Sequence, residues 1–268
     1  MLDPTKPNGV AEESNALSLP MYELPEMRQA NSAFLAEVRQ RLDAKGIGCG
    51  KVAPQTLFTQ ICGYPLLKYY SDQYRLLVTP HYTMPGCSGP NHRAFFMVRV
   101  DDPAVSLEDL RGRVFGCNSL LSNTGMNLPR LSLARIAGGK SFFSSVVMTG
   151  AHVVSLEQLN EGNIDVCSID SVTWGYFQKF QPTTAKRYRI LAETLPSPAL
   201  PFVTSTATTE SDAAALVETL HEMLHDPQMG HTLAILQLTD VSAPDLAAYG
   251  RLAEYEREAA ELGYPEII

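Results

Sequence analysis

Residues 117–130 read CNSLLSNTGMNLPR, and this segment decides how the rest of the chain is interpreted. The pattern predicts a strand, then a short polar loop, then the first turn of a helix. Backbone N–H groups at a helix start lack partners within the helix and carry the positive end of its dipole. The loop residues Ser122, Asn123, Thr124 and Gly125 therefore predict donors that converge on a small oxyanion. The alternative is an ordinary helix cap, for which Ser and Thr are also preferred.

Length and composition limit what surrounds this loop. The chain has 268 residues, of which 45% are hydrophobic and 19% charged, as in ordinary globular proteins. This length suits one large domain or two lobes of roughly 100–150 residues each. The net charge of −8 argues against a nucleic-acid partner bound through a broad basic surface, but it leaves room for a local anion site made of neutral donors.

The N-terminal stretch and the hydropathy of the chain bear on its location. Residues 1–14 are polar, contain Pro and Gly, and are predicted to be loose. The stretch lacks the basic segment and apolar segment of a secretory signal, which predicts a cytoplasmic protein, or a periplasmic one if a signal was removed. No run reaches the roughly 20 apolar residues of a membrane span, so an integral membrane protein is not expected.

The five cysteines do not form a recognisable metal or redox motif. They are Cys49, Cys62, Cys87, Cys117 and Cys167, and no two of them have CxxC spacing. A zinc knuckle or a thioredoxin-like site is therefore not expected. Cys62 and Cys87 lie in similar Gly-rich loops and are the one pair that we consider for a disulfide.

Strand and helix patterns alternate along the chain, which predicts an α/β fold with mixed, mostly parallel sheets flanked by helices. Two candidate crossovers, at 100–106 and 194–202, predict a middle lobe inserted into a lobe made of both chain ends. The predicted division is 15–101 with 201–268 for lobe 1, and 102–200 for lobe 2. Ligands of such sheets lie beyond the carboxyl ends of the strands.

Four segments occur in a characteristic order along the chain. They are SLEDLRGRVFG at 106–116, SNTGMN at 122–127, TGAHVVSLEQLNEGNIDV at 149–166, and the closing GYP at 263–265. In this order they resemble the phosphate/phosphonate-binding (PhnD-like) family of periplasmic substrate-binding proteins of ABC transporters. The resemblance covers about residues 15–265.

The resemblance implies a type II periplasmic-binding fold, in which two lobes joined by two hinge crossovers close over a small ligand. It also implies that the loop at 122–125 binds the phosphonate or phosphate oxygens. In this chain Asn123 replaces a hydroxyl residue of the family's Ser-Thr-Ser-Gly-like loop. The family's histidine falls on His152, which would add a hydrogen bond and, if protonated, a charge.

Further ligand-binding residues follow from the resemblance. Tyr22 and Tyr64 lie at the first two strand ends, where the family places binding aromatics. Asp170 could pair with a ligand amine, or it could simply cap the helix that begins at Ser171. Trp174 fits a core position better than a ligand contact.

A competing motif lies at residues 221–231, HEMLHDPQMGH. His221, Glu222 and His225 match HExxH, and His231 has the spacing of a third zinc ligand. Gln228 stands where the longer zinc-protease pattern needs Gly, and Pro227 ends the helix just before it. A zinc-dependent hydrolase and a pyrimidine-synthase-like enzyme of the same fold are the alternatives, although the cysteine-rich signature of the latter is not visible.

The sequence thus predicts a non-catalytic binding protein that captures a small anion between two lobes. No catalytic residue, metal or cofactor is expected. The partners would be a small phosphonate- or phosphate-type ligand and, if the protein serves transport, an ABC transporter permease. A cytoplasmic relative could serve as a sensor instead.

Overall fold

The structure, a computed structural model, describes residues 16–48 and 57–268. The predicted loose segment 1–14 and Cys49 lie outside these residues. The helices are α1 (Arg28–Ala44), α2 (Gly63–Tyr69), α3 (Leu128–Ala137), α4 (His152–Glu161), α5 (Ser171–Phe180), α6 (Pro182–Ala185), α7 (Glu210–Leu224), α8 (Gly230–Leu236) and α9 (Leu246–Glu261).

The strands alternate with these helices, as the sequence pattern predicts. They are β1 (Thr59–Gln60), β2 (Tyr74–Tyr82), β3 (Asn91–His92), β4 (Ala94–Arg99), β5 (Val114–Cys117), β6 (Ser145–Met148), β7 (Val166–Asp170), β8 (Tyr188–Glu193), β9 (Ser197–Pro198), β10 (Phe202–Ser205) and β11 (Leu238–Ser242). The sequence pattern at 16–22 predicts a first strand, but the structure has a single bridge between Leu17 and Phe58, followed by a 3-10 turn at Pro20–Tyr22.

The first sheet has the strand order β1-β10-β2-β11, and its neighbouring strands are antiparallel. Its core is aromatic, because Phe34 of α1 packs near Phe58 and Phe202. The ring centroids of Phe58 and Phe202 lie 5.0 Å apart, and all three side chains are buried. Burying such rings removes a large apolar area from water, which fixes α1 against this sheet.

The second sheet has the strand order β6-β5-β7-β4-β8. Strand β5 is parallel to β6 and β7, whereas β4 is antiparallel to β7 and β8. Successive side chains of β4 point to opposite faces, so Phe96 joins the core shared with the first sheet while Phe95 packs in a separate cluster on the other face. The carboxyl ends of β5, β6 and β7 lie at one edge, and the predicted ligand-binding turns follow them.

The pairing corrects one detail of the predicted fold class. The α/β character is confirmed, but among the named strands parallel pairing is confined to β5 and its two neighbours. The reason is topological. Strand β4 lies between β7 and β8 and runs against both, so neither of its pairs is parallel.

A short antiparallel ribbon of β3 and β9 lies between the two sheets, with His92 opposite Ser197. The connections between the sheets therefore run through residues 83–93 and 194–201. Strand β4 belongs to the second sheet, although the predicted boundary at 101 assigns it to lobe 1. The bounds of the lobes stay a prediction, and the sheet pairing favours a first boundary near the ribbon.

Gly116 allows β5 to pack closely against Ile164, just before β7. A Cβ atom at Gly116 would lie 2.2 Å from Ile164 Cδ1, and Ile164 is fully buried. We expect Gly116→Ala to lower the free energy of unfolding by about 1–3 kcal/mol through overpacking, as measured by urea denaturation. Ile164→Val removes the clashing Cδ1, so the double variant should be more stable than Gly116→Ala alone. Equal stabilities of these two variants would contradict this explanation.

Candidate functional site

The loop after β5 forms one turn of π-helix, Asn123–Asn127, that leads into α3. Ser122 caps this turn, because its Oγ accepts a hydrogen bond of 2.9 Å from the backbone N–H of Gly125. The predicted cap and the predicted binding loop are thus the same residues. Ser122, Asn123 and Thr124 are all buried, so the loop is enclosed by the rest of the protein.

Residue 125 must be a glycine, because the side chains of Asn118 and Ser122 pack closely against its Cα. A Cβ atom there would lie 1.7 Å from Asn118 Oδ1 and 3.0 Å from Ser122 Oγ. The glycine therefore lets the loop close tightly over its own cap.

The loop also contacts residues of the first half of the chain. The thiol of Cys62, at the N-terminus of α2, accepts a hydrogen bond from the backbone N–H of Asn123. Burial raises the pKa of this thiol to about 11, although that bond and one from Tyr64 act in the opposite direction. The loop after β5 thus contacts α2, an element from the first half of the chain.

Thr124 and His152 are brought together, and their hydrogen bonds define the state of the imidazole. His152 Nδ1 lies 3.1 Å from the backbone oxygen of Ser168, and its Nε2 lies 3.2 Å from Thr124 Oγ1. A carbonyl oxygen can only accept, so Nδ1 carries the hydrogen. Burial lowers the pKa of His152, against the opposing charge of Asp170. In the neutral ring Nε2 therefore accepts the hydroxyl hydrogen of Thr124.

Asp170 caps helix α5, which is one of the two roles that were open, and its second oxygen lies beside a histidine of the protein. Its Oδ1 accepts from the backbone N–H groups of Val172 and Thr173 at 2.9 and 3.0 Å, which caps α5. Its Oδ2 lies 2.8 Å from Nδ1 of His92, and both side chains are almost fully buried. Burial alone would raise the pKa of Asp170, but His92 and His152 lower it below the usual range. The carboxylate is therefore ionised and already paired.

Tyr22 lies close to this pair. Its ring packs edge-on against Tyr82 and Tyr176, with centroids 5.9 Å apart in each case. Burial raises the pKa of Tyr22, and the charge of Asp170 raises it further. Within the described part of the chain its hydroxyl has no hydrogen-bond partner. Tyr22 also lines a cavity of about 20 Å³, which has room for one water.

Tyr64 is engaged elsewhere. Its hydroxyl donates to Glu256 Oε2 of α9 at 2.7 Å, and Lys68 Nζ lies 3.2 Å from the same hydroxyl. Lys68 holds both oxygens of Glu256 at 2.7 Å. The structure does not bring the Tyr64 hydroxyl into contact with Thr124, His152 or Asp170.

Two residues of the β3–β9 ribbon were missed by sequence reasoning. His92 pairs with Asp170, and Ser197 accepts a 3.0 Å hydrogen bond from Asn123 Nδ2. The signal that points to them is weak: only Ser197 lies in a predicted crossover, at 194–202, whereas His92 precedes the predicted crossover at 100–106. No motif distinguishes His92 from an ordinary loop histidine.

The HExxH segment does not form a metal site. Glu222 is paired with Lys45 at 3.0 Å, and His225 Nδ1 lies 2.8 Å from the backbone oxygen of His221. Across residues 16–48 and 57–268, no group of three or more His, Cys, Asp or Glu side chains is placed to hold a metal ion.

Cys62 and Cys87 do not form the disulfide that we considered from the sequence, and both are free thiols. Burial raises the pKa of Cys87 to about 11, as it does for Cys62. Two thiols with raised pKa values are poor nucleophiles at neutral pH.

Among the helices of the described residues, none combines the length and apolarity that crossing a bilayer requires.

The family of the chain follows from comparison with known proteins. A family model described as "ABC transporter, phosphonate, periplasmic substrate-binding protein" matches residues 58–249, which is most of the chain. The chain therefore belongs to the phosphonate-binding family of periplasmic substrate-binding proteins of ABC transporters. The resemblance stated from the sequence is confirmed. A search of curated protein sequences found no match.

Solved structures confirm the two-lobed type II fold. A binding-protein component of an ABC phosphonate transporter from Pseudomonas aeruginosa has a TM-score of 0.76 at 15% identity, covering 92% of this chain and 86% of its own. PhnD1 from Prochlorococcus marinus, solved with methylphosphonate, has a TM-score of 0.70 at 12% identity and coverages of 91% and 97%. XAC2383 from Xanthomonas citri, solved with ATP, has a TM-score of 0.67 at 20% identity and coverages of 92% and 96%. At these identities the likeness extends to the fold alone.

Proposed function

We propose that the protein binds a phosphonate, or a closely related phosphorus oxyanion, between its two halves and does not transform it. The observation that carries the proposal is the contact of Thr124 with His152 at the head of α3. This contact places a hydroxyl and a titratable imidazole beside the backbone N–H groups that begin a helix. Such a set of donors suits an anion with several oxygens.

The residues around this contact support binding rather than catalysis. The Asp170 carboxylate is committed to a cap and to His92, and the thiols of Cys62 and Cys87 have raised pKa values. The alternative metal chemistry would need Glu222, which is tied to Lys45. The proposed ligand-binding residues are Ser122, Asn123, Thr124, Gly125 and His152, together with Tyr22, which feels the charge of Asp170.

The position of Asp170 bears on the substituent that the ligand carries. A free carboxylate would attract a ligand ammonium group, but this one lies 2.8 Å from a histidine nitrogen. We therefore propose a phosphonate without a required amino group. In cells the protein would deliver it from the periplasm to an ABC transporter permease, as the family does.

Binding is tested by isothermal titration calorimetry and thermal shift with methylphosphonate, 2-aminoethylphosphonate, phosphate, phosphite, sulfate and ATP. A true ligand raises the melting midpoint in proportion to the logarithm of its concentration. We expect methylphosphonate to do so, and 2-aminoethylphosphonate to bind no better. Binding of none of the phosphorus oxyanions would refute the proposed function.

Thr124→Val is expected to weaken methylphosphonate binding by about tenfold or more, since it removes a hydroxyl and keeps the shape of the side chain. Thr219→Val is a matched control. Thr219 is a fully buried threonine of α7, and its hydroxyl has no hydrogen-bond partner among the described residues. Calorimetry of the two variants compares the same chemical change inside and outside the site. An equal affinity of Thr124→Val and the unmodified protein would remove this hydroxyl from the site.

A further inference from the structure

Arg130, on α3, is a buried cation behind the binding loop. Its side chain is among the buried charged groups at 4% exposure. Among the described residues, no carboxylate oxygen lies within 4.0 Å of its nitrogens. Glu256 feels the charge of Arg130, but both of its oxygens are held by Lys68. Arg130 instead donates to the backbone oxygen of Pro265 at 2.7 Å and to Asn127 Oδ1 at 2.9 Å.

A series of hydrogen bonds runs from this cation through the binding loop to the β3–β9 ribbon. Asn127 Nδ2 donates to the backbone oxygen of Leu252 at 2.9 Å and to Asn123 Oδ1 at 3.1 Å. Asn123 Nδ2 then donates to Ser197 Oγ at 3.0 Å. These amide and hydroxyl groups are all buried, so each forms hydrogen bonds with its neighbour and not with bulk water.

The donor and acceptor roles in this series of hydrogen bonds are fixed on both sides of Asn127. Arginine has donors only, so the atom of Asn127 that faces Arg130 must be the oxygen. A backbone carbonyl only accepts, so the atom that faces Leu252 must be the nitrogen. The same NH₂ group then donates to Asn123, whose own NH₂ group must point at Ser197.

The last residue of this hydrogen-bond series, Ser197, has one donor without a partner among the described residues. Ser197 Oγ accepts from Asn123, and within the described ranges no acceptor receives its hydroxyl hydrogen. Ser197 is 1% exposed, lies opposite His92 in the ribbon, and contacts the binding loop through Asn123. A buried hydroxyl of this kind gains strongly from an anionic acceptor.

We propose that Ser197 is a ligand-binding residue that donates to the bound oxyanion, and that Arg130 is the positioning residue that orients Ser197 through Asn127 and Asn123. The inference rests on the proposed function, since it needs an oxyanion at the loop. The ligand would then be contacted by the β3–β9 ribbon as well as by the loop at 122–125. Occupancy of the site would thereby be linked directly to the segment about which the halves move.

The test is a double-mutant cycle with methylphosphonate as the probe, measured by calorimetry. Ser197→Ala removes the terminal donor and is expected to weaken binding about tenfold or more. Asn127→Asp keeps a partner for Arg130 but cannot donate, so Asn123 should turn and accept the Ser197 hydrogen. It is expected to weaken binding by a similar factor. Because both changes remove the same donor, the double variant should bind within about threefold of Asn127→Asp.

Controls separate the possible outcomes. Ser132→Ala removes an α3 hydroxyl whose one hydrogen-bond partner among the described residues is the backbone oxygen of Leu128, and it should leave the affinity unchanged. Circular dichroism melts establish that each variant folds, and if Asn127→Asp does not, the comparison of Ser197→Ala with Ser132→Ala decides. Unchanged affinity in Ser197→Ala, or losses that multiply in the double variant, would overturn the inference alone. Absence of binding to the unmodified protein would overturn the proposed function and the inference together.

Discussion

Asp170→Ala is expected to lower the free energy of unfolding by about 2–4 kcal/mol, because it removes a helix cap and leaves a buried histidine without the carboxylate beside it. Two effects add at this position. The substitution removes the oxygen that accepts from Val172 and Thr173 at the start of α5. It also leaves His92, at 1% exposure, without the carboxylate that lies 2.8 Å from its Nδ1. Chemical denaturation followed by circular dichroism measures the change.

Asp170→Asn separates the two effects. The amide keeps an oxygen for the cap but loses the charge, so its loss of stability should be clearly smaller than that of Asp170→Ala. His92→Gln removes the partner and keeps Asp170, which tests the pair from the other side. If the alanine variant lost less than about 1 kcal/mol, or no more than the asparagine variant, the account of a buried pair with a structural cap would be wrong.

The sequence was sufficient to predict elements whose pattern is local. The sequence pattern predicts a helix at 171–180 and a strand at 202–205, and α5 and β10 have these bounds, because the N-cap Asp170 and the turn residues around β10 act within a few positions. The same holds for Ser122, whose cap is a contact over three residues. The order of motifs along the chain was enough to identify the family, which the match at residues 58–249 confirms.

Contacts between distant parts of the chain could not be predicted. The pairing of His92 with Asp170, and of Asn123 with Ser197, joins residues more than seventy positions apart. Neither pair has a spacing that a linear pattern can reveal. The same limit applies to β4. Its apolar run predicts a buried strand, but it does not indicate which sheet the strand joins. Tyr64 occupies a predicted position, yet its hydroxyl is bound by Glu256, a neighbour that only the fold supplies.

The affinity for methylphosphonate is expected to rise as the pH falls, by up to about tenfold per pH unit, because the bound anion favours a protonated His152. In the ligand-free protein, burial lowers the pKa of His152, against the charge of Asp170. The unfolded chain then takes up the proton first, so His152 makes the ligand-free fold less stable as the pH falls below about 6.5. A nearby oxyanion reverses the preference. With Nε2 protonated, the Thr124 hydroxyl is released to donate to the ligand.

Calorimetry in buffers of different ionisation enthalpy measures the number of protons taken up on binding. The second ionisation of methylphosphonate contributes to this number, so His152→Gln provides the reference. Glutamine can still contact Thr124 but does not titrate, while Asp170 and His92 remain in place in both proteins. We expect the unmodified protein to take up more protons than His152→Gln between about pH 5.5 and pH 7, with the difference approaching one proton. Identical proton uptake by the two proteins would show that His152 does not change its charge when the oxyanion binds, and the Thr124 hydroxyl would then have to donate from its present contact with the neutral ring.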